Sequence, residues 1–148
     1  MIRLNKLTDY ALLVTNALAQ CEQGGRCSMS AIAVQTGLSL ATVRKILKKL
    51  VDAGVVRSHR GVQGGYCLAD SPDRISVVEV ISALEGPVAI TECNQNNGCC
   101  AIEKHCQLRD NWHQINRRLT QVLESIYLSD LSAPAENSSP VNSACTVL

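Results

Sequence analysis

A chain of 148 residues without a single phenylalanine has few ways to build a core. Its aromatic residues are Tyr10, Tyr66, Trp112 and Tyr127, so the interior falls to Leu, Val, Ile and Ala. Aliphatic side chains without large rings suit packed helices better than a β-sandwich. The length holds one compact domain plus an appendage, or two very small modules. An apolar content of 46% excludes wholesale disorder.

The apolar positions bear this out as a pattern. Leu7, Tyr10, Ala11, Val14 and Leu18 recur at steps of three and four and predict an amphipathic first helix over 7–20. Thr8 or Asp9 can cap it, because a short side-chain oxygen satisfies free backbone N–H groups. After the Gly24-Gly25 break, Ser28 or Ser30 opens a short helix through Val34, which Gly37 terminates. Ser39 caps the next helix, with Val43, Ile46, Leu47, Leu50 and Val51 facing inward and Gly54 at its end. Two extended runs follow, 55–58 and 66–68, joined by a glycine-containing turn over 59–65. Ser76 with Glu79 three residues on is a capping-box pattern, and Val77, Val80, Ile81 and Leu84 form the apolar face behind it.

Further on, Trp112, Ile115, Leu119, Val122 and Ile126 repeat at spacings of 3, 4, 3 and 4, the seam of a helix that pairs with a partner. A helix over 109–128 would be roughly 30 Å long. The expected class is mainly α, a winged helix-turn-helix with a two-stranded wing, followed by a long dimerisation helix. Its parts are a DNA-binding module over 1–75, a connecting helix in 76–92, a cysteine-rich loop over 93–106, the dimerisation helix in 107–131 and a disordered tail over 132–148, rich in Ser, Pro, Ala and Asn.

The net charge of +1 conceals an asymmetry. Residues 1–75 carry ten basic and five acidic groups, a surplus of +5, whereas 76–148 carry four basic and eight acidic groups, a balance of −4. A basic half joined to an acidic half points to a polyanion as the partner of the first. The second helix of a helix-turn-helix places its N-terminal residues at base edges in the major groove. Here those are Ser39, Ala41, Thr42 and Arg44, with Lys45, Lys48 and Lys49 placed for phosphates. The wing tip offers His59, Arg60 and Gln63 to an adjacent groove, where an arginine can read a narrow minor groove. A run such as 44–49 is by itself often only the solvated face of a helix. The turn glycine, the glycine-rich wing and the basic half together make double-stranded promoter DNA the expected partner.

The N-terminal stretch has no continuous apolar run, so neither a signal peptide nor a membrane span is expected. That places the chain in the cytoplasm, where thiols stay reduced, and its eight cysteines need a reason other than a disulfide framework. Cys93, Cys99, Cys100 and Cys106 fall within 14 residues on a polar stretch between two helices. Thiolates so placed suit an iron–sulfur cluster, with a zinc site or a reversible thiol/disulfide switch as alternatives. Cys21, Cys27, Cys67 and Cys145 are scattered; Cys21 and Cys67 read as core or strand residues. No nucleophile and base share a recognisable motif, so an enzyme is not expected.

The residues assembled so far resemble one family. The stretches Leu7-Thr8-Asp9-Tyr10-Ala11-Leu12, Arg60-Gly61-Val62-Gln63-Gly64-Gly65-Tyr66 and Val80-Ile81-Ser82-Ala83-Leu84-Glu85-Gly86-Pro87 look like those of the Rrf-type winged-helix transcription regulators, among them IscR and NsrR. Residues 106–112 with Ile115-Asn116 resemble the subgroup that regulates the SUF cluster-assembly operon. The resemblance covers residues 1–131 and implies a homodimeric repressor whose DNA affinity depends on a [2Fe-2S] or [4Fe-4S] cluster. It implies Cys93, Cys100 and Cys106 as ligands, the last two with five residues between them, and Cys99 as the alternative middle ligand. IscR-like members use a histidine three residues after the last cysteine, a position held here by Arg109. NsrR-like members use an aspartate at the start of the first helix, supplied across the dimer, which Asp9 matches; His105 and His113 are fallback ligands. A carboxylate in place of a fourth thiolate is a harder, more exchangeable ligand.

Overall fold

The computed structural model describes residues 3–21, 25–61, 63–95 and 100–132. Helix α1, Lys6–Gln20, starts one residue earlier than its apolar period predicts, and its cap is Asn5 rather than Thr8 or Asp9. The Asn5 side chain accepts the Leu7 N–H at 3.1 Å. Thr8 is fully buried and Asp9 stands inside the first turn, past the cap position, so neither is the cap. Ala11, Val14 and Leu18 turn inward with Thr15, whose hydroxyl donates back to the Ala11 and Leu12 carbonyls and so enters the core satisfied.

Helices α2, Met29–Thr36, and α3, Leu40–Asp52, form the helix-turn-helix. Ser28 and Ser39 cap them by accepting N–H groups three residues on. Gly37 ends α2 at φ 70°, a left-handed conformation that a residue with a Cβ adopts only under strain. Strands β1, Val56–His59, and β2, Gly65–Leu68, pair antiparallel from Val56 opposite Leu68 to His59 opposite Gly65. The first strand is thus shifted by one residue from its expected 55–58, and the second begins one residue earlier than its expected 66–68.

A third segment joins the wing that the sequence pattern did not reveal. The Cys27 N–H donates to the Tyr66 carbonyl and the Tyr66 N–H donates to the Cys27 carbonyl, both at 2.9 Å. Gly65 permits this approach, because a Cβ at that position would sit 2.9 Å from the Cys27 carbonyl oxygen.

Helix α4, Val77–Glu85, follows Ser76, whose N–H and hydroxyl both donate to the Glu79 carboxylate. Val14, Ile32, Val43, Ile46, Leu50, Val56 and Val80 close the core between α1, the helix-turn-helix and α4. Two single 3₁₀ turns, Glu92–Asn94 and Glu103–His105, lead to α5, Arg109–Glu124. No helix among the described residues is long and apolar enough to cross a membrane.

The end of α5 corrects the sequence reading. The helix stops at Glu124, four residues short of the expected 109–128, and Ile126 lies outside it. The chain instead turns back: the Val77 N–H donates to the Ile126 carbonyl at 2.8 Å, and the Leu128 N–H to the Ile75 carbonyl at 3.0 Å. This pairing leads into a short helix α6, Leu128–Ser132, whose Leu128 is fully buried in the N-terminal core. Ser132 closes α6 and bonds Asn16 of α1, so it does not begin the tail; residues 133–148 lie outside the described residues.

Leu128 therefore acts as a plug for a core made by the first half of the chain. Leu128→Ala is expected to lower unfolding stability by about 3 kcal/mol, measured by urea denaturation, as large-to-small core changes do. Val122→Ala, on the exposed face of α5, is expected to change the unfolding of the separated chain by less than about 0.5 kcal/mol.

Candidate DNA interface and cysteine segment

Most of the basic positions that the sequence marks out are exposed. Ala41, Arg44, Lys45 and Lys48 are exposed along α3, and Arg60 and Gln63 are exposed at the wing tip. Ion pairs among the described residues are Arg74–Asp70 and Arg109–Glu103, and neither involves a cation of α3 or the wing tip. Ser39 is exposed but engaged, its hydroxyl lying 2.9 Å from the Thr42 hydroxyl and accepting the Thr42 N–H. His59 is half-buried, with Nε2 3.4 Å from the Cys67 thiol across the wing.

Lys49 points elsewhere. Its ammonium donates to the Leu84 carbonyl at 2.9 Å, at the C-terminal end of α4, where a helix dipole favours a cation. The next residue, Glu85, reaches the opposite way. Its carboxylate accepts the Asn5 N–H at 2.8 Å and the buried Thr8 hydroxyl. One turn of α4 thus holds the C-terminal half of α3 and the first turn of α1 together, immediately before Gly86-Pro87 leads out to the cysteines. Asp9 is exposed in that first turn of α1.

The segment beyond Pro87 is fastened to α5 by side-chain amides. Asn116 donates to the Val88 carbonyl at 2.9 Å and accepts the Ile90 N–H at 3.0 Å, as a paired strand would. Asn94 donates to the Thr91 hydroxyl at 2.6 Å and meets His113 Nδ1 at 2.8 Å. The Thr91 hydroxyl also lies 3.2 Å from the Cys93 sulfur. Thr91 and Asn94 carried no signal in the sequence; His113, expected only as a fallback ligand, instead meets Asn94, and Asn116 belonged to the stretch that resembles the SUF regulators. Farther along, Arg109 donates to Glu103 at 2.9 Å and holds the second 3₁₀ turn against the start of α5. His105 is exposed on that turn.

Cys93, Cys100 and Cys106 are free thiols, each half-buried; Cys99 and Cys145 lie outside the described residues. Their chemistry fits a soft metal centre, since thiolates are the donors such a centre prefers. Among the described residues, no three His, Cys, Asp or Glu side chains gather around one point.

Two other cysteines behave unlike their sequence reading. Cys21, the C-cap of α1, and Cys27, the residue paired with Tyr66, form a disulfide with a Cα separation of 6.5 Å. The expectation that all thiols stay reduced fails here for a local reason. The end of α1 and the residue before the cap of α2 lie within the span that a disulfide bridges. Cys67 is a free, half-buried strand residue, as expected.

Residues 4–134 match Rrf2, described as an iron-dependent transcriptional regulator. The chain belongs to the Rrf2 family. The HTH-type transcriptional regulator IscR of Xenorhabdus nematophila is 33% identical over 130 residues, covering 88% of this chain and 79% of that protein. Among solved structures, CymR, the global cysteine regulator of B. subtilis, superposes with a TM-score of 0.68 at 29% identity, covering 89% of this chain and 97% of that one. IscR of T. potens gives 0.64 at 30% identity, covering 88% and 85%. With these relatives and a two-stranded wing beside the helix-turn-helix, the chain is a winged-helix, DNA-binding transcriptional regulator of the Rrf2 type.

The α4 junction should be measurable in this Rrf2 chain. Glu85→Ala removes the acceptor of the Asn5 and Thr8 donors. It is expected to speed amide hydrogen exchange in the first turn of α1 about tenfold, matching loss of a charged hydrogen bond of about 1.5 kcal/mol. Exchange in β1 and β2 should stay unchanged.

Proposed function

We propose that the protein is a homodimeric cytoplasmic repressor of iron–sulfur cluster-assembly genes, its DNA affinity set by a cluster held on residues 93–106. The observation that carries this reading is the placement of three free, half-buried thiols, Cys93, Cys100 and Cys106, on the segment that joins the α4 junction to α5. These three would hold a [2Fe-2S] or [4Fe-4S] cluster, with Asp9 of the second protomer as fourth ligand and Cys99 as the alternative middle one. A bound cluster would supply a centre that oxidants, nitric oxide or iron supply can alter.

The chain's own residues provide the rest. Val88, Ile90 and Asn94 are anchored to α5, and Gly86-Pro87 connects them to Leu84 and Glu85. Those two residues bond α3 through Lys49 and α1 through Asn5 and Thr8. A rearrangement of 93–106 therefore has a short route of hydrogen bonds to the recognition helix. Partner pairing falls to α5, which buries no residue within one chain and exposes Trp112, Ile115 and Val122.

On DNA, Ser39, Ala41, Thr42 and Arg44 face base edges, Lys45 and Lys48 face phosphates, and His59, Arg60 and Gln63 enter the neighbouring groove. Lys49 would reach a phosphate only by leaving the Leu84 carbonyl.

A second reading has its own support. The Cys21–Cys27 disulfide and the likeness to the cysteine regulator CymR favour a cluster-free thiol switch made by Cys93, Cys99, Cys100 and Cys106.

Anaerobic purification with absorption spectrum, iron and acid-labile sulfide per chain separates the two. The expected result is a brown protein with matched iron and sulfide, whose colour is lost in Cys106→Ala. A colourless protein that stays colourless after anaerobic reconstitution would leave the thiol switch, or a zinc site if zinc is present. On DNA, Arg60→Ala is expected to weaken binding to a duplex selected from a random library by about 1–3 kcal/mol. Lys48→Ala should lower the slope of log affinity against log salt by about one.

A further inference from the structure

The Cys21–Cys27 pair sits apart from the 93–106 segment, in the part of the molecule that carries the DNA-binding face. Cys21 ends α1, and its partner Cys27 precedes Ser28, the cap of α2. Cys27 is also bonded on both backbone groups to Tyr66 of β2, and the neighbouring Arg26 donates to the Gln63 carbonyl at the wing tip at 3.2 Å. The disulfide therefore joins three things covalently or through one hydrogen-bonded residue: the C-terminal end of α1, the first helix of the helix-turn-helix and the base of the wing. Both cysteines are half-exposed, so small thiols and disulfides reach them.

We propose that Cys21 and Cys27 are a reversible modification site, a dithiol oxidised by low-molecular-weight disulfides of the glutathione class. The step is thiol–disulfide exchange. The Cys21 or Cys27 thiolate attacks the glutathione disulfide, one glutathione thiol leaves, and the second cysteine displaces the other glutathione to close the Cys21–Cys27 bond. Two protein thiols and one glutathione disulfide become one protein disulfide and two glutathione thiols.

The consequence for DNA follows from preorganisation. In the oxidised state the wing base and the start of α2 are tied to α1, so less ordering remains to be done on binding. In the dithiol state the hydrogen bonds that hold the same segment to the wing, among the described residues, are those to Tyr66 and Gln63. The oxidised form binds DNA more tightly. A coupling of ordinary size between two such sites makes the difference about tenfold. This inference rests on DNA binding by α3 and the wing and on nothing in the cluster reading.

Trypsin offers a direct assay, because cleavage after Arg26 leaves Cys21 in peptide 7–26 and Cys27 in peptide 27–44, joined only by the disulfide. The full-length protein is equilibrated with oxidised or reduced glutathione, digested without reductant and analysed by mass spectrometry. Affinity for the selected duplex is measured on the same samples, for wild type, Cys21→Ser and Cys27→Ser. The expected result is a joined 7–26/27–44 pair that appears with oxidised and disappears with reduced glutathione. Wild-type affinity should change about tenfold between those states, while both variants bind with one affinity in either buffer. Absence of the joined pair overturns the proposal. So does an equal response of wild type and variants, which would move the redox effect to the remaining cysteines. Cluster absorbance recorded on the same anaerobic preparations is expected to be the same in all three proteins, so failure of the cluster reading shows separately.

Discussion

The arrangement depends most on the last turn of α4. A helix C-terminus leaves carbonyls without partners, and here one of them, on Leu84, takes the ammonium of Lys49 from α3. The adjacent Glu85 carboxylate takes two donors from the start of α1. Without this turn, the recognition helix and the first helix would be related only by aliphatic packing, which is strong but not directional. The hydrogen bonds supply the direction. They also stand at the point where the chain leaves the DNA-binding module for the cysteines.

That position gives the molecule a division of labour. The module from α1 to α4 has an aliphatic core and satisfied buried hydroxyls at Thr8 and Thr15. The cysteine segment, among its described residues, has none that is fully buried. It is held to α5 by amide side chains, Asn94 and Asn116, whose bonds are specific yet individually worth only about 1 kcal/mol net. A rigid reader next to a segment held by a few polar contacts is suited to reporting a chemical change in the second through the position of the first. The exposed apolar face of α5 completes the picture, because a seam of Trp112, Ile115 and Val122 gains little by facing water.

Two sets of thiols then divide between two surroundings. Cys93, Cys100 and Cys106 are free and lie on the loosely held segment. Cys21 and Cys27 are joined and lie against the wing. Soft-metal chemistry suits the first set and thiol exchange the second, because a metal needs several uncommitted donors and a disulfide needs only one close pair.

Most of the local architecture was legible in the sequence. The caps at Ser28, Ser39 and Ser76, the stop at Gly37 and the inward face of α3 were all readable, because each depends on residues within about four positions along the chain. The winged class and the basic face followed from the same short-range signals combined with the charge asymmetry of the two halves. What the tertiary structure decided is what joins distant positions. It paired Cys27 with Tyr66, turned Lys49 from solvent to the Leu84 carbonyl, closed the Cys21–Cys27 bond and sent Leu128 back into the N-terminal core. The apolar period ran on through Ile126, yet the helix stopped at Glu124, because pairing of Ile126 and Leu128 with Ile75 and Val77 lies outside what periodicity records. A side chain's neighbours along the chain are written in its sequence; its neighbours across the fold are set only when the core closes.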